Sequence, residues 1–301
     1  MSYLPEEPWI QALTGEPSIE QALEFNYCAW CLLHAEVNNL PIPNDPNNRR
    51  VVYQVYKDHA RVLSGLPDGF LNWIAWSDLS TAHLSDRISE ISDQVAGFLG
   101  GVARGCEWTV LGSQPNRDQL IHELERQGWH FYYAVPGMTC DLVHCGDEPR
   151  SSEFEVRVVR TNKEIDDWLK PFLDGFDISD GGASHFKRVL ERVAPREDAP
   201  FQNFTLYEAS GVNAGRPISC GSIMYRYGVA VICDVGTIFG ARCRGAATHM
   251  VRFLKSEARR RGYRSVSLFA APEAQSIYLK EGFVENATSY SLYRKELGVA
   301  D

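Results

Sequence analysis

Six consecutive residues, Arg242-Cys243-Arg244-Gly245-Ala246-Ala247, combine two guanidinium groups with three residues that carry almost no side chain. The β-branched run before them, Val229–Val235, predicts a strand. The residues after them, up to Gly262, place apolar side chains at helical spacing and predict a helix. The first N–H groups of a helix lack intrahelical partners, and the helix dipole favours negative charge beside them. This stretch therefore predicts an anion site into which a pyrophosphate fits.

The same order of elements has a second interpretation. A strand–helix unit also needs small residues wherever its two elements pack closely, and one glycine-containing turn is a weak indicator of a phosphate site. Gly236, near the end of the predicted strand, indicates a β-bulge or the close approach of another backbone. Spacing alone leaves both interpretations open.

Arg242, Gly245 and Ala247 match the pattern Gln/Arg-x-x-Gly-x-Gly/Ala, and the stretch resembles motif A of the GNAT superfamily of acetyltransferases. The resemblance implies that backbone amides of the loop hold the pyrophosphate of acetyl-CoA, and that the preceding strand pairs with the pantetheine arm. It also implies acetyl-CoA or another acyl-CoA as co-substrate, and no metal. The cofactor contacts implied by this register are Val235, Thr237, Arg242, Cys243, Arg244, Gly245, Ala246 and Ala247.

A second run, Ala270–Phe283, ends in Tyr-x-x-x-Gly-Phe and resembles motif B of the same superfamily, at the expected place after motif A. The resemblance implies that Tyr278 protonates the departing CoA thiolate, because a phenol is close in acidity to that leaving group. Read alone, a tyrosine beside Ile277 in a short helix is a core residue. The chain departs from many members at Ala271, where they carry Asn, and this change weakens the expected hold on the pantetheine arm.

An amine attacks a thioester only in its neutral form, so a base or a water chain must accept its proton. Asp234 is the candidate base. Strand alternation places it on the face opposite Cys233 and Val235, close to where bases occur in the superfamily. The alternative for Asp234 is a hydrogen-bonded strand carboxylate. Neither Cys233 nor Cys243 has an evident activating His and Asp, which favours direct transfer without an acyl-enzyme.

The acceptor candidates lie in a glycine-marked break between two predicted helices, a region with which GNAT proteins often cover the acyl acceptor. They are Phe176, Asp180 and His185. Their alternatives are a core aromatic residue, a helix cap and a surface imidazole, respectively. The resemblance predicts a small-molecule or peptide amine as acceptor, and no motif identifies it.

The elements around these residues predict an α/β fold, with a mixed sheet and helices on both faces. Residues 1–145 alternate helices and strands but contain no Arg-x-x-Gly-x-Gly/Ala string, and they resemble the degenerate N-terminal half of tandem GNAT proteins. Residues 146–152 have the polar, Gly- and Pro-containing composition of a linker. Residues 153–301 are the expected catalytic domain, which would carry the acyl-CoA site.

The charge distribution, the apolar runs and the cysteines narrow the class of protein further. Residues 1–150 carry 20 acidic and 9 basic side chains, whereas residues 151–301 carry 19 and 21. Such an acidic half argues against a nucleic-acid partner. The apolar runs are too short to cross a bilayer and the first residues do not begin a signal peptide, so a cytoplasmic protein is expected. Cys28-x-x-Cys31 with His34 could suggest a metal or redox site, but no second ligand pair follows at zinc-finger spacing.

The leading hypothesis is an acyltransferase that moves an acetyl group from acetyl-CoA to an amine. A tRNA-dependent aminoacyl transferase is a second hypothesis, although such two-copy proteins usually lack an intact pyrophosphate loop. A non-catalytic acyl-CoA sensor or assembly protein is a third, and Ala271 together with the uncertain base keeps it open. Specificity for the acceptor lies in loops that carry no motif, and fold analogy cannot supply it.

Overall fold

The computed structural model describes residues 33–42, 48–66, 71–75, 77, 79–100, 105–143, 151–176, 178–226 and 229–295. The strands are β1 (Val52–Val55), β2 (Ala60–Leu63), β3 (Asn72–Ala75), β4 (Cys106–Leu111), β5 (His130–Asp141), β6 (Phe154–Val158), β7 (Phe201–Glu208), β8 (Pro217–Arg226), β9 (Val229–Thr237), β10 (Ser265–Phe269) and β11 (Val284–Arg294). The helices are α1 (Leu84–Leu99), α2 (Arg117–Arg126), α3 (Asn162–Phe176), α4 (Asp180–Val193), α5 (Ala246–Arg260) and α6 (Gln275–Lys280).

The described strands form one mixed sheet in the order β1-β2-β3-β4-β11-β5-β10-β9-β8-β7-β6. Two neighbouring pairs are parallel, β3 with β4 and β9 with β10. Each parallel pair is joined by one crossover helix, α1 in the first case and α5 in the second, as parallel pairing requires. The predicted α/β class with a mixed sheet is confirmed.

Helices pack on both faces of the sheet. Val231 packs in the core beneath α3 and α4, whereas its neighbour Ile232 packs in the core beneath α5. Successive strand residues point to opposite faces, so these cores lie on opposite sides. On α5 the buried Met250, Val251 and Leu254 share one stripe, and each contributes roughly 1.5–3 kcal/mol by burial.

The two halves of the chain exchange strands at the centre of the sheet. β11, from the C-terminal end, lies between β4 and β5, with Leu292 opposite Trp108. β5, from the N-terminal half, lies between β11 and β10, with Met138 opposite Leu268. The backbone ladders are therefore shared between the halves, and the domain boundaries expected from the sequence stay a prediction.

Several local predictions are confirmed. Thr161-Asn162-Lys163-Glu164 fits the Thr-x-x-Glu pattern that predicts a capping box, and the structure forms it: Glu164 Oε2 accepts from Thr161 N at 2.9 Å, and Thr161 Oγ1 accepts from Glu164 N at 3.4 Å. Helix α5 ends at Arg260, and Gly262 follows with a φ of +88°, a left-handed conformation suited to glycine.

Other elements have no clear local indication in the sequence. All four residues of β2 are buried, without the alternation of a half-buried strand. Helix α1 begins at Leu84, after His83, and no side chain caps it. β5 is one continuous strand although Pro136 lies within it. Cys28 and Cys31 lie outside the described residues.

Candidate functional site

A β-bulge interrupts β9 at its C-terminal end. Cys220 pairs with Gly236 and Ser222 pairs with Cys233, so Asp234 and Val235 both lie opposite Gly221. The extra residue changes which side chains share a face. Cys233 packs with the core beneath α3 and α4, and Val235 packs with the core beneath α5. The expectation that Asp234 faces away from both of them is therefore wrong, because it assumed unbroken alternation.

Asp234 adopts a φ of +55°, although it is not a glycine. Asp tolerates this left-handed region better than most residues, but the conformation costs on the order of 1 kcal/mol. The residue is buried at 7% exposure. The bulge predicted from Gly236 is thus confirmed, and the strained residue beside it is the candidate base.

The parallel ladder between β9 and β10 is short. It ends at the pair Val231 and Ser267, although β9 continues to Thr237. From Ile232 onward, the edge of β9 that faces β10 lies outside this ladder. Backbone N–H and C=O groups along such an edge need partners, and an extended amide-bearing arm would supply them. Val235 and Thr237 lie on this part of the strand, and their contact with pantetheine stays a prediction.

The end of α3 packs directly against the bulge. A Cβ added to Gly236 would lie 2.6 Å from the carbonyl oxygen of Pro171, and one added to Gly175 would lie 3.2 Å from Gly236 Cα. Asp174 Oδ2 also accepts a hydrogen bond from Phe239 N at 2.5 Å. These contacts fix the helix end where Phe176 follows. Sequence reasoning missed Asp174 and Gly175; the only available indication was an Asp-Gly pair near a predicted helix end.

The loop after β9 leads into the N-terminus of α5. Arg242 Nε donates to the carbonyl oxygen of Thr237 at 3.2 Å, and its guanidinium lies 5.5 Å from the centre of the Phe239 ring. Cys243 and Gly245 both have positive φ, +59° and +84°. The first turn of α5 contains no acidic residue, and no side chain caps it.

This helix N-terminus fits an anionic group. A Cβ added to Gly245 would find no atom within 4 Å, so the space beside its backbone is open. The uncapped N–H groups and the helix dipole favour negative charge there. Arg244, one residue earlier, forms an ion pair with Glu208 at 2.7 Å. Glu208, at the end of β7, is a third residue that sequence reasoning missed.

Tyr278 lies in α6, buried at 6% exposure, with its ring 5.6 Å from that of Phe283. Burial raises the pKa of its hydroxyl above the ordinary value, and the nearby Cys233 thiol adds to the shift. Burial also raises the pKa of the Cys233 thiol, with a further contribution from the charge of Asp234. Tyr278, Cys233 and Asp234 are thus electrostatic neighbours, and Cys233 stays a neutral thiol.

The acceptor candidates are not all brought together. Phe176 ends α3 with 45% of its surface exposed, and Asp180 begins α4 in an exposed position. The cap of α4 is Ser179, whose Oγ accepts from Gly182 N at 3.1 Å, so the alternative of Asp180 as the cap is wrong.

His185 is fully buried, and the alternative of a surface imidazole is wrong. Its Nε2 lies 2.9 Å from His34 Nδ1. Burial lowers the pKa of His185 well below its usual range, with smaller contributions from His34 and Arg188. Its contact with a substrate stays a prediction.

Two properties of the described residues bear on other kinds of site. No group of three or more His, Cys, Asp or Glu side chains is arranged to hold a metal ion in that part of the chain. Within the same residues, no helix is both long enough and apolar enough to cross a membrane.

No protein-family profile matches the sequence, and no curated protein matches it. Solved structures do match the fold. A GCN5-related N-acetyltransferase from Kribbella flavida is 16% identical with a TM-score of 0.62, and the match covers 81% of this chain and 89% of that one. One from Sphaerobacter thermophilus is 12% identical with a TM-score of 0.60, covering 93% and 94%.

A tandem GNAT protein from the clavulanic acid biosynthesis pathway is 11% identical with a TM-score of 0.54, and the match covers 92% of this chain and 96% of that one. At these identities the likeness concerns the fold. The chain has the fold of GCN5-related N-acetyltransferases, as the resemblance of its motifs predicted, and its division into two tandem domains stays a prediction.

Proposed function

We propose that this protein transfers an acyl group, acetyl in the first instance, from acyl-CoA directly to an amine. The observation that carries the proposal is the combination at the end of β9: a bulge, a ladder to β10 that stops early, and a glycine of positive φ before the uncapped N-terminus of α5. An extended arm with a pyrophosphate needs an open strand edge followed by an anion site. Both occur here in that order.

The residues of the loop bind and orient the co-substrate. The backbone N–H groups from Gly245 to Ala247 hold the pyrophosphate, with Cys243 in the same turn and the guanidinium groups of Arg242 and Arg244 beside them. Val235 and Thr237 offer backbone partners to the pantetheine arm. When bound, acyl-CoA supplies a thioester whose carbonyl carbon accepts the amine nitrogen.

Tyr278 donates one proton in this reaction, and Asp234 accepts another. Burial raises the pKa of Tyr278, so its hydroxyl is protonated at neutral pH but is a weaker acid than a free phenol. Its proposed role is to donate this proton to the departing thiolate. Asp234 accepts the proton of the attacking amine. Its burial and its positive φ support this role, because strained residues that the surrounding structure maintains cluster at functional sites.

The acceptor enters beside the junction of α3 and α4, where the contacts of Gly175 with Gly236 place Phe176 near the bulge. Asp180 lies at the same junction, and a rearrangement would be needed to expose His185. We propose a small-molecule or peptide amine, with no nucleic-acid partner. A cytoplasmic setting is supported by the described cysteines Cys106, Cys140, Cys220, Cys233 and Cys243, which are free thiols.

The test is direct binding of acetyl-CoA to the purified chain, followed by turnover with a library of primary amines and with Asp234→Asn as a comparison. The proposal predicts binding, release of CoA with at least one amine, and a ten- to hundred-fold lower kcat for Asp234→Asn. Binding without turnover would instead favour a non-catalytic acyl-CoA-binding protein. Transfer that requires a charged tRNA would favour an aminoacyl transferase, and failure to bind CoA would refute the proposal.

A further inference from the structure

Glu208 and Arg244 form an ion pair beside the proposed pyrophosphate loop. Arg244 Nη2 lies 2.7 Å from Glu208 Oε1; the glutamate side chain is 7% exposed and the arginine side chain 48% exposed. The pair lines a polar cleft of about 480 Å³ together with Glu153 and Ser210. It joins the end of β7 to the loop immediately before α5.

The second carboxylate oxygen of Glu208 is buried and finds no hydrogen-bond partner within the described part of the chain. Removing the partner of a buried charge leaves that charge uncompensated, which is strongly unfavourable. Arg244 therefore stays with Glu208 when a ligand arrives. A guanidinium carries five N–H donors in a fixed fork, so a single bond to the carboxylate leaves donors for a phosphate.

We infer that Glu208 is a positioning residue for the pyrophosphate: it holds Arg244 beside the anion site before acyl-CoA binds. Long arginine side chains lose much rotamer freedom when they are ordered. Pairing with Glu208 restricts Arg244 in the free protein, so that less freedom is lost on binding, and affinity rises through preorganisation. This inference rests on the proposed function, because it requires that the loop bind CoA.

The test is calorimetric titration of CoA into the full chain carrying Glu208→Gln, Arg244→Gln, or both. Glu208→Gln weakens CoA binding roughly five-fold, as expected for the loss of a partly exposed ion pair. Arg244→Gln weakens it further, and the double variant binds no more weakly than Arg244→Gln. Glu153→Gln is the matched control, because it removes one carboxylate from the same cleft, and its affinity stays within about two-fold of wild type.

A second ligand separates positioning from a purely structural role. Pantetheine lacks the pyrophosphate, so the ratio of its Kd to that of CoA falls about five-fold in Glu208→Gln. An equal loss of affinity for both ligands, additive effects of the two substitutions, or unchanged or tighter CoA binding by Glu208→Gln would overturn the inference while leaving the proposed function intact. If the wild-type chain does not bind CoA, both fail.

Discussion

The described part of the chain contains two parallel crossovers of the same design, which differ at the point where a phosphate would bind. We call β9–α5–β10 the C-terminal crossover and β3–α1–β4 the N-terminal crossover. In the first, the helix begins after Gly245 with no acidic residue in its opening turn. In the second, Asp86 lies in the first turn of α1. A carboxylate there already occupies the positive end of the helix dipole and repels another anion.

Side chains also form hydrogen bonds to the connection between β3 and α1 in the N-terminal crossover. Trp108 Nε1 donates to Ser77 Oγ at 2.6 Å, Gln114 Nε2 donates to the Ser77 carbonyl, and Asn116 Nδ2 donates to the Leu79 carbonyl at 2.9 Å. Two of these bonds satisfy backbone carbonyls of the connection. At the corresponding place after β10, residues 270–274 are Ala-Ala-Pro-Glu-Ala instead.

The comparison shows that a common fold does not provide a common site. Both crossovers have a strand, a connection and a helix without a side-chain cap, but only α5 begins after a left-handed glycine and without an acidic residue in its first turn. The predictions below test whether this difference decides binding and catalysis, in order of decreasing effect.

The largest effect concerns Tyr278, the proposed proton donor beside the C-terminal crossover. Tyr278→Phe keeps the ring and its packing but removes the hydroxyl, so kcat falls about 100-fold while CoA affinity is unchanged. Steady-state kinetics and CoA titration measure the two quantities. Tyr225→Phe is the control. Tyr225 is also buried and its pKa is also raised, but it lies near the end of β8, away from the bulge, so its loss should leave kcat unchanged. Full activity in Tyr278→Phe would remove Tyr278 from its role.

The dependence of kcat on pH tests the same role of Tyr278. Because burial raises the pKa of Tyr278, its hydroxyl stays protonated beyond the ordinary value of about 10. The wild-type kcat therefore shows no loss between pH 8 and about 9.5 from ionisation of this group. A decline in that range that disappears in Tyr278→Phe would contradict the assignment.

The next effect concerns the left-handed glycine before α5. Gly245→Ala places a Cβ beside the backbone amides that we propose hold the pyrophosphate, and we expect it to weaken CoA binding at least ten-fold. Gly262→Ala is a matched control at the other end of the same helix, because its φ is +88° and its Cβ would also meet open space. Both variants lose about 1–2 kcal/mol of unfolding free energy. Equal CoA affinity in the two would contradict a pyrophosphate site at Gly245.

The smallest effect concerns the N-terminal crossover. Asn116→Ala removes the bond to the Leu79 carbonyl and lowers the free energy of unfolding by about 1 kcal/mol. Chemical denaturation measures this change. The affinity for CoA and the number of CoA molecules bound per chain stay those of wild type, because the other hydrogen bonds of the connection and Asp86 remain. Appearance of a second CoA site would mean that these hydrogen bonds alone close the N-terminal crossover.

The sequence could predict features that depend on neighbouring residues. Gly236 indicated the bulge, Gly262 the end of α5, and Thr161 with Glu164 the start of α3, because bulges, caps and capping boxes have local sequence requirements. The two motifs likewise indicated the fold, since each is a short string of residues.

Features that depend on distant residues were not predictable. The bond from Phe239 N to Asp174 joins positions 65 residues apart, and the partner of Arg244 lies on β7. Strand exchange between the halves follows from non-local pairing, for which neither β5 nor β11 carries a local indication. His185 resembled a surface residue because its partner, His34, lies 151 residues earlier in the chain.

The central claim is that the chain has one CoA site and that it lies at the C-terminal crossover. Calorimetric titration of CoA into the wild-type chain and into Gly245→Ala tests this most directly. The account predicts one CoA per wild-type chain and at least ten-fold weaker binding in the variant. Two equivalent sites, no binding, or wild-type affinity in Gly245→Ala would contradict it.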